Sequence, residues 1–504
     1  MMLKSILFIL IIRQIFELCS ILYQKFKFIK NKCLFFFSLR PPPGNTVFCS
    51  THKRSLEKDL PAMPDISQHS ETLALHSGSY RRDPATNSVA VPIYQTTSYQ
   101  FDSTAHASKL FALQELGNIY TRIMNPTTQV LEERLSAIEG GVAALGVSSG
   151  SSAVALAIQN VASSGDNIVA SPHLYGGTYN LFTNTLRQMG IEVRFADPAN
   201  PENFADLSDE KTRAYFGETL PNPRLVPFPI AEVAEIGRAR AIPLIMDNTA
   251  APLTCRPFDH GAAVVVHSLT KYIGGHGTSI GGIIIDGGNF DWTAKPAQQP
   301  HFNQPDGSYH GAVWGTLVPE ALGAPIAYII RARVVLLRDL GASLSPANAF
   351  QLIQGLETLP LRFREHQANA AKVTSFLKGH DAVSRVIHPS LFEGAKKALA
   401  DKYLAKGHGA LVGVELTGGI DAGRSFIDAL KLIYHVANIG DARSLAIHPA
   451  STTHSQLSAT DQLAAGVSPG YVRLSVGIEH IDDIIADISQ ALDTASAISP
   501  KTAA

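Results

Sequence analysis

Short, nearly continuous apolar runs recur through the middle of this chain, separated by helical stretches. Residues 143–147, 167–170, 191–195, 213–216, 242–246, 262–267 and 280–285 each read as a strand. A strand with one wet face alternates apolar and polar residues. These runs do not: Val264-Val265-Val266 and Ile283-Ile284-Ile285 leave no polar side for water. Such strands have to be covered on both faces. The helical stretches between them, 153–161 and 175–190 among others, must then lie on both sides of a mostly parallel sheet. The expected class is α/β. Ligands of such sheets bind beyond the carboxyl ends of the strands.

The pattern changes after Ser343. Residues 361–379 read as a long helix, 410–416 and 471–476 as strands, and 481–497 as an amphipathic helix. This predicts a smaller α+β C-terminal domain. Residues 68–125 are polar and weakly periodic, and are expected to form an extended arm that packs on something else, such as another subunit. Residues 289–315, rich in Gln, Pro, Gly and aromatics, read as a long loop of the kind that is often functional. The expected division is 1–62, an N-terminal extension; 63–125, the arm; 126–345, the sheet domain with the ligand site; and 346–504, the C-terminal domain.

A chain of 504 residues, 45% hydrophobic, can build two or three domains. A net charge of −1 gives no electrostatic case for a nucleic-acid partner. Cys19, Cys33 and Cys49 precede the body, which keeps only Cys255. The body therefore has no internal disulfide or thiolate cluster, which fits a reducing compartment, and a cytoplasmic location is expected. No His-x-x-x-His or Cys-x-x-Cys spacing occurs, so no metal is expected. Residues 3–23 are apolar but broken by Lys4, Arg13 and Glu17, and the clean run 6–12 is too short to span a bilayer. Lys25, Lys27, Lys30, Lys32 and Arg40 follow without an acid. This segment reads as a signal anchor, as an organelle-targeting peptide, or as an extension foreign to the enzyme and upstream of a start at Met63. Membrane attachment is not expected of the body.

Two strand ends carry chemistry. One apolar run ends in Asp247; the next ends in His267-Ser268-Leu269-Thr270-Lys271-Tyr272, followed by Gly274-Gly275-His276-Gly277. A lysine and an aspartate past neighbouring strand ends are what a pyridoxal phosphate (PLP) site needs. The lysine forms the Schiff base, and the aspartate holds the proton on the ring nitrogen. Read singly, Lys271 is a surface lysine and Asp247 a cap. Ser149-Gly150-Ser151 lies between a strand and a helix, where free N–H groups favour an anion such as phosphate. Ser268 and Thr270 add two hydroxyls that point the same way on an extended chain. Tyr120 and Arg122 could add a phenol and a guanidinium. Tyr175, before Gly176-Gly177, could stack on the ring or be a core tyrosine. Arg473 is a lone cation in the run Tyr471-Val472-Arg473-Leu474-Ser475-Val476, and an amino acid carboxylate or a structural aspartate would explain it.

Several of these segments, with Tyr120-Thr121-Arg122-Ile123-Met124-Asn125-Pro126-Thr127 and Glu218-Thr219-Leu220-Pro221-Asn222-Pro223, resemble the Cys/Met-metabolism family of PLP-dependent (trans-sulfuration) enzymes. The resemblance runs from about Ser70 to the C-terminus. It implies the aspartate-aminotransferase-like fold, fold type I. It implies Lys271 as the Schiff-base lysine, Asp247 at the ring nitrogen and Tyr175 stacked on the ring. Ser149, Gly150, Ser151, Ser268 and Thr270 would hold the phosphate, assisted by Tyr120 and Arg122 of a neighbouring subunit. Asn222 would lie near the ring hydroxyl, and Arg473, with Asn438, would bind the substrate. The assembly implied is a homotetramer, a dimer of dimers. Residues 289–315, Gly177 where methionine γ-lyases tend to have cysteine, and Asn438 where shorter members often have serine resemble the O-acetylhomoserine sulfhydrylase branch. The implied activity is replacement of acetate by sulfide on O-acetylhomoserine, giving homocysteine. The rival activities on the same site are methionine γ-lyase, cystathionine γ-synthase or γ-lyase, and use of O-succinylhomoserine. A non-enzymatic scaffold would have had no reason to keep both Lys271 and Asp247.

Overall fold

The computed structural model describes residues 67–498 other than 454, 456, 457 and 465. They belong to one compact unit, Leu60–Ala504. The readings of the N-terminal extension lie outside the described residues.

Seven strands form the first sheet: β1 (Ala143–Val147), β2 (Asn167–Ala170), β3 (Glu192–Phe195), β4 (Thr212–Glu218), β5 (Leu244–Asp247), β6 (Val264–Ser268) and β7 (Gly282–Asp286). Their order is β1-β7-β6-β5-β4-β2-β3. β6, β5, β4, β2 and β3 pair in parallel, while β7 runs antiparallel to both its neighbours. The mostly parallel expectation therefore holds with one reversed strand. The connection from β6 to β7, residues 269–281, is turn and bend with no crossover helix, so β7 returns antiparallel.

The apolar runs are buried on both sides, as their composition requires. Val264, Val266, Ile245 and Ile284 face one core with Leu156, Ile158 and Phe182. Val265, Met246, Ile283 and Ile285 face another core with Leu131, Leu135, Leu352 and Leu356. Helix Gly150–Gln159 covers the first face, and helices Pro126–Glu139 and Pro346–Lys378 cover the second. Burying one such side chain contributes about 1.5–3 kcal/mol.

Helix Pro346–Lys378 is longer than the expected 361–379. Pro360, just before the expected start, lies inside the helix. An interior proline costs about 3 kcal/mol. Buried Leu352, Ile353, Leu356, Leu359 and Phe363 around it offset that several times over.

The second sheet has β8 (Val383–Ile387), β9 (Leu411–Leu416), β10 (Tyr434–His435), β11 (Leu445–Ile447) and β12 (Tyr471–Ser475), in the order β10-β11-β12-β9-β8. Arg473 sits on the central β12, opposite Gly413 and Ile447. Helix Ile481–Ile498 lies beside helix Gly419–Ala429.

Residues 289–315 are largely the long loop expected, with short helical turns at Pro300–Asn303 and Gly307–Tyr309, but the loop is not exposed: Trp292, Phe302 and Trp314 are buried. The Gln299 amide donates to the carbonyls of Arg213 at 3.1 Å and Ala241 at 3.0 Å. That anchor holds the amino end of β4, about 20 Å along the strand from the Glu218 end. Nor is the arm wholly extended, since it contains helices Ser70–His76 and Thr104–Phe111. The first of these packs on helices Pro126–Glu139 and Pro346–Lys378 of its own chain. Among the described residues no helix is long and apolar enough to cross a membrane, and no cluster could hold a metal ion.

Candidate active site

The carboxyl ends of β1, β2, β4, β5 and β6 point the same way, and the chemistry-bearing residues gather there. Lys271 lies in the turn after β6. Its Nζ donates to Asn438 Oδ1 at 2.5 Å, and the Asn438 carbonyl accepts Arg473 Nη2 at 2.9 Å. One asparagine thus joins the predicted lysine to the predicted arginine, 202 residues apart by numbering (473 − 271). Burial, then the charge of Arg473, lowers the Lys271 pKa. A lysine shifted this way is readier to act as a neutral amine, as nucleophile or base.

The turn that carries Lys271 is held from behind. Arg362 Nη1 donates to the Tyr272 carbonyl at 2.9 Å, and Nη2 to those of Ile273 at 3.1 Å and Gly355 at 2.7 Å. The long helix comes so close that a Cβ at Gly355 would lie 2.4 Å from the Gly274 carbonyl oxygen. Gly275 takes a left-handed φ of 68°, which only glycine adopts without strain. Arg362 thus acts on Lys271 through the backbone.

Asp247 ends β5, and its Oδ1 accepts the Thr249 N–H at 2.9 Å. The Thr249 hydroxyl accepts the Ser268 N–H at 2.8 Å, tying β5 to β6 at the site. Burial raises the Asp247 pKa despite the Thr249 hydrogen bonds. Such a group gains by meeting a cation. Behind it, His267 Nε2 and Glu139 Oε1 lie 2.7 Å apart, both almost fully buried, and Asn248 Nδ2 donates to the same oxygen at 3.1 Å.

Ser149 caps helix Gly150–Gln159, its hydroxyl accepting the Ser152 N–H at 3.1 Å. The first N–H groups of the helix have no partner within it. A Cβ at Gly150 would lie 2.5 Å from Ser268 Cβ, so glycine brings the helix end against the Ser268 hydroxyl. Thr270 departs from expectation. β6 ends at Ser268, so the alternation argument stops there, and Thr270 Oγ1 accepts the Gly281 N–H at 3.2 Å. Tyr175 precedes helix Gly176–Asn180 and is 56% exposed. Its ring lies against Gly177, where an added Cβ would be 2.5 Å from Tyr175 Cε1.

Tyr120 and Arg122 make no hydrogen bond to the other predicted residues within this chain. They are exposed, with the Arg122 guanidinium 5.4 Å from the centre of the Tyr120 ring. Sequence reasoning quoted Glu218 only as part of a motif, and gave no role to Arg362, Glu139 or His267. A polar residue inside an apolar run was the available signal for Glu218 and His267. Arg362, on a helix with other charges, gave none.

The site fits PLP on two observations besides its charges. Asn222 Oδ1 and Arg473 Nε are buried and have no protein partner. An unsatisfied buried polar atom costs about 1–3 kcal/mol, which a ligand group can relieve.

The model of the family described as "Cys/Met metabolism PLP-dependent enzyme" matches residues 71–493. The chain is 54% identical to an O-acetyl-L-homoserine sulfhydrylase of Leptospira meyeri over 428 residues, 84% of this chain and 96% of that protein. It is 47% identical to a homocysteine synthase of Schizosaccharomyces pombe over 435 residues, 86% and 100% respectively. Among solved structures it resembles a provisionally assigned O-acetylhomoserine (thiol)-lyase of Campylobacter jejuni, with TM-score 0.80 and 43% identity over 84% of this chain and 100% of that one. That crystal structure contains N'-pyridoxyl-lysine 5'-monophosphate.

Proposed function

The chain belongs to the Cys/Met-metabolism family of PLP-dependent enzymes, and from that premise we propose that it is an O-acetylhomoserine sulfhydrylase, or homocysteine synthase. Its fold is that of fold type I PLP enzymes. The observation that carries the site assignment is the Lys271–Asn438–Arg473 chain of hydrogen bonds, which starts just past the strand paired with that of Asp247. The choice of reaction is supported by the full-length similarity to proteins with that activity.

Bound PLP supplies the electron sink that makes protons next to the substrate's amine removable. The protein does the rest. Arg473 grips the substrate carboxylate with its planar fork, engaging the Nε that no protein group meets. Lys271, whose amine would hold the cofactor, would also take the Cα proton and return protons later. Its lowered pKa suits that work near neutral pH. Asn438 aims the Lys271 amine. Asp247 would hold the proton on the ring nitrogen. Tyr175 would offer its exposed ring to stack on the cofactor. Ser149, Gly150, Ser151, Ser268 and Thr270 would hold the phosphate, and Asn222 would meet the ring hydroxyl. Acetate leaves Cγ, and sulfide takes its place.

Tyr120 and Arg122 of a second copy complete the phosphate site, in a homotetramer of two dimers. Their exposure in this chain supports that reading. The domain limits 63–125, 126–345 and 346–504 are kept as working divisions, and residues 1–62 as an extension not needed for catalysis. A single buried free cysteine, Cys255, in the described residues supports a cytoplasmic location.

Two results test the assignment. Purified protein should release homocysteine from O-acetylhomoserine and sulfide at least about tenfold faster than from O-succinylhomoserine, since one extra carboxylate left unpaired costs more than 1.4 kcal/mol. Faster turnover of the succinyl ester would move the enzyme to another branch. Arg473→Lys keeps the charge but loses the fork. Its kcat/KM should fall by about 1.5–3 kcal/mol, with PLP still bound. Unchanged kinetics would leave Arg473 a structural cation.

A further inference from the structure

Glu218 has no role in the chemistry above, yet it ends β4 inside the site and is only 8% exposed. A carboxyl group there is costly without partners. Two relations define its place. Its Oε1 accepts the Tyr175 backbone N–H at 2.6 Å. It is also the register partner of Asp247 across β4 and β5. Register partners leave the same face of a sheet, with their strands about 5 Å apart. Tyr175 has no side-chain cap for the helix that follows it. Glu218 therefore links the backbone carrying the exposed tyrosine ring to the strand end carrying Asp247.

We propose that Glu218 is a positioning residue for the cofactor ring: it anchors Tyr175 beside Asp247, and does so as a hydrogen-bonding acid, leaving Asp247 as the single negative charge at the ring nitrogen. Two carboxylates in one buried site repel, so the pair holds one charge more easily than two. Burial first, and then the charge of Asp247, push Glu218 well above the usual carboxylate range. Asp247 is raised by burial too, but hydrogen bonds from Thr249 and the nearby His267 oppose that. A ring cation at Asp247 settles the charge there. A protonated Glu218 keeps a carbonyl oxygen for the Tyr175 N–H and gains an O–H to donate.

The inference rests on the ring site proposed above, and its test reads the bound cofactor rather than turnover of any substrate. Glu218→Ala and Glu218→Gln holoenzymes are compared with the unsubstituted protein by equilibrium PLP affinity and by visible circular dichroism of the cofactor. Glu218→Ala should weaken PLP by about tenfold or more, the scale of one lost hydrogen bond to a buried group. It should also diminish the dichroism, because the Tyr175 ring no longer holds the cofactor in one asymmetric setting. Glu218→Gln has the shape of the acid without its charge, and should recover most of both signals. A glutamine variant as weak as the alanine variant would show that the negative charge matters, and would overturn the proposal. Both variants matching the unsubstituted protein would overturn it as well. If Glu218→Ala does not fold, Glu218→Leu, which fills the volume without an acceptor, replaces it with the same expectations. Failure of the ring site itself would look different, as PLP on a lysine other than Lys271 in the unsubstituted protein.

Discussion

Replacing Lys271 with alanine should cost at least about 10³ in turnover, the scale of losing a principal catalytic group. The turn itself should survive. Arg362 holds it through the backbone carbonyls of Tyr272 and Ile273, which the substitution leaves in place. The variant should still bind PLP without a covalent link, because the proposed phosphate and ring contacts come from other residues. Borohydride should then fix the cofactor to the Lys271 peptide of the unsubstituted protein and to no peptide of the variant. Activity within about tenfold of the original would mean that another group moves the protons.

Asp247→Asn should have the next largest effect. The amide matches the carboxylate in shape, and can still accept the Thr249 N–H. It cannot supply the negative charge that keeps a proton on the ring nitrogen. The expected loss in kcat is about 10²–10³, as for removing one preorganised electrostatic contact. KM for the amino acid should change little, since its carboxylate is assigned to Arg473 and not to Asp247. Steady-state kinetics, with nitrogen NMR of isotopically labelled ring, would check both parts. A variant within about threefold of the original would place the ring nitrogen elsewhere.

Much of this site was legible because its residues interrupt strong patterns. Asp247 ends one apolar run, Lys271 follows another after a short polar stretch, and Arg473 is a cation inside a third. Burial makes such residues expensive, so their presence points to a partner. The parallel pairing of β6, β5, β4 and β2, though not their order, followed from runs with no polar face. The reversed β7 did not, because Ile283-Ile284-Ile285 reads the same in either direction. The helix expected from Leu361 begins at Pro346 instead, because local propensity says nothing of the core that Leu352, Leu356 and Leu359 lie against. Residues 289–315 read as a loop, but their packing was not legible, because Trp292, Phe302 and Trp314 are spaced without helical or strand period and their burial comes from tertiary contacts. Thr270 was expected to follow Ser268 on an extended chain, and the turn begins between them. Asn438 between Lys271 and Arg473 could be guessed only from the family, since nothing local marks an asparagine in a loop as a bridge.

The central claim, that this site adds sulfide to the carbon chain of O-acetylhomoserine, is tested most directly by competition. Purified protein is given O-acetylhomoserine with sulfide and cysteine at equal concentration, and homocysteine and cystathionine are counted. Sulfide is small and needs no carboxylate grip, whereas cysteine brings an amine and a carboxylate that must be desolvated and paired. Homocysteine should exceed cystathionine by about tenfold or more, the effect of one unpaired polar group. Cystathionine as the main product, or no thioether or thiol product at all, would contradict the claim.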